Sequence, residues 1–115
     1  MKIKLAIFVC LFSLISTAKA EIDNNKIYLF YSQRCGHCHT AMEDIQKSHP
    51  KLEIEMMDIA NKKAYKEMLL CAKKHNLGNR IGTPLFCMGN NYLMGWSEEN
   101  AKKFDILVKE LNKQQ

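Results

Sequence analysis

Proline is scarce in this 115-residue sequence, with only Pro50 and Pro84, and glycine is limited to five. A collagen-like chain is excluded, and no proline- or glycine-rich stretch offers a linker between domains. Five Cys are too few for a disulfide knot. No Asn-x-Ser/Thr sequon, internal repeat or low-complexity segment occurs. No uninterrupted apolar run approaches the roughly 20 residues that span a bilayer as a helix. What is present is 47% hydrophobic and 25% charged residues, which excludes a disordered chain and suits one compact domain.

The N-terminus reads as a leader rather than as fold. Lys2 and Lys4 give a positive start, and the apolar stretch from Leu5 to Ile15 is broken only by Ser13. Ala18-Lys19-Ala20 then offers small residues for cleavage. This is the pattern of a secretory signal peptide over residues 1–20. The stretch is too short for an anchor, so no stable membrane attachment is expected. Cys10 follows the bulky Phe8 and Val9, which does not suit a lipid-attachment site. Removing residues 1–20 takes away Lys2, Lys4 and Lys19 and no acid, lowering the formal net charge from +5 to +2. A charge that small leaves no electrostatic footprint for nucleic acid. Cys35, Cys38, Cys71 and Cys87 remain, an even number that fits an oxidising compartment such as the periplasm.

Along residues 21–115 the pattern predicts β-α-β-α-β-β-α. Residues 26–31 are almost continuously apolar, as in a strand covered on both faces. A turn over 32–36 leads to a helix over 37–47, with Ala41, Met42 and Ile45 inward. Residues 52–57 alternate as a half-covered strand. Asn61 is placed to cap a helix running to about His75, with Ala64, Met68, Leu69 and Ala72 on its inner stripe. A loop over 76–83 precedes a hairpin of strands 84–88 and 92–94. Ser97 caps a final helix with Phe104, Leu107, Val108 and Leu111 inward. His49 and His75 fall at helix ends. The expected architecture is a four-stranded mixed sheet with helices on both faces.

Chemistry concentrates in Cys35-Gly36-His37-Cys38-His39. Two Cys separated by two residues can close a small disulfide ring at the start of a helix. There, unpaired backbone N–H groups and the helix dipole favour a thiolate on Cys35. Cys38, one turn in, is placed to resolve a mixed disulfide, and His37 can tune the Cys35 sulfur. The same residues permit other readings. A metal-handling module would hold zinc or copper through Cys35, Cys38 and a His, but Cys71 and Cys87 form no second close pair. Cys-x-x-Cys-His also satisfies covalent haem attachment, although here the motif directly follows an apolar strand. Thr83-Pro84 can carry a cis bond that exposes the Thr83 backbone, or an ordinary trans proline. Cys71 and Cys87 can be bonded or remain two buried thiols.

The apolar strand, Cys35-Gly36-His37-Cys38 and Gly82-Thr83-Pro84 with its following hairpin together resemble the thioredoxin superfamily over about residues 26–112. A domain that starts at the active-site strand is similar to its minimal, glutaredoxin-like form. Cys-Gly-His-Cys resembles the motif of protein disulfide isomerases, and the Cys-Gly-x-Cys-His stretch with Gly-Thr-Pro is similar to exported bacterial Dsb-type proteins. The resemblance implies a thiol–disulfide oxidoreductase with Cys35 as nucleophile, Cys38 as resolving thiol and Thr83-Pro84 as a cis-proline docking element. It implies protein thiols and disulfides as partners, and a further redox partner that recharges the pair. No resident cofactor or metal is expected, and the chain is expected to be a monomer. Two features depart from the pattern. The strand before the motif carries no acid, unlike that of thioredoxins. Where glutaredoxins hold glutathione as co-substrate, this chain has Gly95, Trp96 and Ser97.

Overall fold

The computed structural model describes residues 22–114; the expected leader over residues 1–20 lies outside them. Strand β1 (Ile27–Tyr31) is central, and everything else is organised by its two apolar faces. Helix α1 (Gly36–Ser48), strand β2 (Glu55–Asp58), helix α2 (Lys62–Lys74), strands β3 (Leu85–Met88) and β4 (Asn91–Met94), and helix α3 (Glu98–Gln114) follow. The sheet order is β2-β1-β3-β4. β1 runs parallel to β2 with Leu29 opposite Met56, and antiparallel to β3 with Leu29 opposite Phe86. β3 and β4 form the hairpin.

Alternation along β1 sends Ile27 and Leu29 to one side and Tyr28 and Phe30 to the other. On the first side they meet Ala41 and Ile45 of α1, Phe86 and Met88 of β3, and Phe104, Val108 and Leu111 of α3. On the second they meet Met68 and Cys71 of α2 with Leu85 and Cys87 of β3. Phe30 and Phe86 are completely buried; side chains of this size each stabilise the fold by about 1.5–3 kcal/mol on burial. Cys71 and Cys87 are joined in a disulfide that ties α2 to β3 inside this second core, with Cα atoms 6.4 Å apart.

Helix ends follow local chemistry. Asn61 Oδ1 accepts the N–H groups of Lys63 and Ala64 at 2.9 and 3.2 Å, capping α2. At its other end His75 is the C-cap and Asn76 takes φ +54°. Leu77 N–H returns to Ala72 O and Asn76 N–H to Lys73 O, the paired bonds of a left-handed helix stop. His49 is the C-cap of α1, just before Pro50. In the hairpin Gly89 has φ +61°, and a Cβ there would lie 3.1 Å from Asn24 O, so the turn requires glycine.

The structure corrects the expectations in three places. The second strand begins at Glu55 rather than residue 52; Leu52 and Ile54 still pack on the first core, but before the ladder starts. Met56, on the same face of the alternating 52–57 stretch as Leu52 and Ile54, is 46% exposed because β2 is an edge strand. Leu69 is also exposed, and Glu67 takes the inward place beside Met68.

Candidate active site

The site lies where β1 ends and β3 begins. A turn shapes the approach: Cys35 N–H donates to Ser32 O at 3.1 Å and Arg34 N–H to Ser32 Oγ at 3.3 Å. Cys35 is then the N-cap of α1, with extended backbone, and its sulfur accepts the N–H of Cys38 at 3.1 Å. The role usually filled by a Ser or Asp oxygen is filled here by sulfur. The first turn of α1 contains no acidic residue, so the positive end of the helix faces that sulfur unopposed.

Cys35 and Cys38 are disulfide-bonded, with Cα atoms 5.2 Å apart. Their exposure differs sharply. Cys38 is fully buried against the first turn, whereas Cys35 is half-buried; an incoming thiol therefore reaches Cys35 first. His37 is exposed between them. His39 points back, its Nε2 sitting 2.9 Å from Gln33 O.

Across from the cysteines the Thr83–Pro84 peptide bond is cis, and Thr83 O lies 3.5 Å from Cys35 Sγ. Pro84 is buried, and its carbonyl accepts the N–H of Gly95 at 2.8 Å. Gly95 has φ +86°, and Asn100 Nδ2 holds the bend by donating to Met94 O and Gly95 O. Cys35, Cys38, Thr83, Pro84 and Gly95 thus come together from residues far apart in sequence.

Trp96 and Ser97 serve other contacts. The Trp96 ring packs on Phe86 and Phe104, with centroids 5.7 and 5.9 Å away. Its indole N–H donates to Asp44 Oδ2 at 2.8 Å, clamping α1 to the start of α3. Ser97 Oγ accepts the N–H of Asn100 at 3.1 Å, opening α3.

Three residues near the site escaped the sequence reading. Asp44 is one. Gln33 and Asp58 are the others: Gln33 Nε2 donates to Asp58 Oδ2 at 3.1 Å, linking the active-site turn to the end of β2. The Ala60 N–H, with this amide, holds the Asp58 carboxyl below the ordinary carboxylate value. Such partners lie decades of residues apart and leave no local signal. Among the described residues, no group of three or more His, Cys, Asp or Glu side chains is arranged to hold a metal ion. No described helix is long and apolar enough to cross a membrane.

No protein-family model and no curated protein matches the chain. Among solved structures, the crystal structure of the glutaredoxin (grx-1) from Archaeoglobus fulgidus superposes with a TM-score of 0.51. The alignment covers 68% of this chain and 83% of that one, at 18% identity. The fold is glutaredoxin-like. The minimal glutaredoxin-like form expected from the sequence is therefore the architecture found, a mixed sheet of four strands with α1 and α3 on one face and α2 on the other. In this fold the Cys35–Cys38 pair sits between β1 and the first turn of α1.

Proposed function

We propose that the protein is an exported thiol–disulfide oxidoreductase acting on protein thiols through Cys35 and Cys38. The observation that carries this reading is the position of Cys35 Sγ, which accepts a backbone N–H at the helix start while facing Thr83 O. A thiolate released there is stabilised by the helix amides, which favours the dithiol form and makes the disulfide the stronger oxidant.

A substrate thiolate attacks Cys35 Sγ, forming a mixed disulfide and breaking the Cys35–Cys38 bond. Cys38 leaves as a thiolate and takes up a proton. A second substrate thiolate then attacks the substrate sulfur, and Cys35 leaves as the thiolate. Two electrons pass from the substrate dithiol to the cysteine pair, and a redox partner later removes them. Thr83 presents backbone for an extended substrate segment beside the sulfur, and His37 supplies an imidazole at the rim. The chain works as a monomer outside the cytosol, where a buried Cys71–Cys87 bond persists.

The test is disulfide exchange with a reduced, unfolded protein substrate. Cys35→Ser is expected to abolish exchange, and Cys38→Ser, offered a substrate that carries a disulfide, to trap the mixed disulfide formed when the Cys35 thiolate attacks it. Exchange that survives Cys35→Ser overturns the reading. Equilibration with glutathione sets the direction: a potential near thioredoxin's, about −270 mV, would make the protein a reductant instead.

A further inference from the structure

The outer edge of the sheet carries a second, unrelated opportunity. β2 is an edge strand of four residues. Ile59 N–H donates to Tyr31 O, so by the alternation of a strand Met57 and Glu55 also address β1. The N–H and C=O of Met56 and the N–H of Asp58 then point to the open side.

Each face of this edge has its own cleft. On the α1 side an apolar cleft of about 380 Å³ is lined by Met42, Ile45, Pro50, Leu52, Ile54 and Met56. On the α2 side a cleft of about 470 Å³ is lined by Lys26, Glu55, Met57, Asp58, Lys63 and Glu67, three acids against two cations. Glu67 is 8% exposed, and its Oε2 is buried with no hydrogen-bond partner among the described residues. A buried carboxylate oxygen without a donor is costly, and a donor brought by a ligand removes that cost. Lys26 is already directed to Glu55, at 3.8 Å.

We infer that the β2 edge receives an extended polypeptide strand whose side chains alternate between apolar and cationic. Main-chain bonds to Met56 and Asp58 supply pairing. Apolar side chains enter the α1-side cleft, and Lys or Arg side chains reach Glu67 on the other. A second copy is the poorer occupant, because its own β2 edge, Glu55–Asp58, carries two acids and no cation to offer Glu67.

The probe is an acetylated, amidated peptide of alternating valine and lysine, titrated into ¹⁵N-labelled protein. Saturable amide shifts are expected at residues 54–58 and at Glu67, unchanged in Cys35→Ser. Glu67→Gln is expected to weaken binding about tenfold or more. Met56→Pro, which removes an outward N–H that an edge strand can spare, is expected to abolish it. A valine–glutamate peptide should bind at least about tenfold more weakly. The inference falls if the lysine peptide does not bind, if both peptides bind equally, or if shifts centre on residues 35–38 and 83–84. It also falls to a second-copy interface if the free protein forms a dimer that Met56→Pro dissolves. None of these outcomes bears on disulfide exchange, which is measured separately.

Discussion

Trp96 shows how one side chain can do work that its neighbourhood in sequence does not announce. An aromatic following Met94-Gly95 suggests a surface for substrate, yet its indole N–H is committed to Asp44 and its ring to Phe86 and Phe104. Trp96→Phe keeps most of the ring contact and removes the N–H. The expected cost is about 1–2 kcal/mol, since the acceptor is a charged carboxylate on a partly exposed site. Denaturant unfolding of Trp96→Phe beside Asp44→Asn checks it: the two losses should fail to add, because both remove one bond. His75 makes a second residue-scale prediction. Its burial, and then the neighbouring Lys74 charge, hold the ring below the ordinary value of 6.5. The unfolded chain therefore takes up this proton more readily than the folded one, and stability falls as pH drops through about 6.5 toward the folded value. Asp58, also lowered, acts at more acid pH: its contribution is present above 3.8 and lost below. Thermal melts across pH should show two losses on acidification, and His75→Gln should flatten the upper one.

At the scale of elements, the second disulfide joins the helix behind the sheet to the strand that follows Pro84. It spans 16 residues, and replacing Cys71 and Cys87 together with Ala is expected to cost about 3 kcal/mol through the freer unfolded chain. Urea unfolding measures that, and thiol exchange at Cys35 should persist while the variant remains folded. Much of this layout was legible in the residues. The unbroken apolar run of β1, the Asn61 cap and the inner stripe of α3 each carry a strong local signal, and each forms the element it suggests. The cysteine pair falls at a strand-to-helix turn for the same reason. The face of α2 was less legible. Leu69 and Met68 are adjacent and equally apolar, so only the position of β3 decides which turns inward, and Met68 does. The start of β2 was hidden similarly: Leu52 and Ile54 continue the alternation, but the ladder begins only where β1 offers a partner, at Tyr28 opposite Glu55.

For the molecule as a whole, the sheet has two ends with different duties. Cys35 and Thr83 meet where β1 finishes and β3 starts. At the far end, Lys74 Nζ donates to Gly89 O at 2.9 Å and bonds Asn24 Oδ1. A Cβ built on Gly89 would also lie 3.3 Å from Gln114 Oε1. The first and last described stretches of chain therefore leave from the pole opposite the sulfurs. A bead, electrode or carrier protein fastened at Ile22 or Gln114, the ends of the described stretch, hangs from the back of the domain. Exchange rates of the tethered protein should match those of the free one, and a current drawn through such a tether would have to cross the length of the sheet before it met the reactive bond.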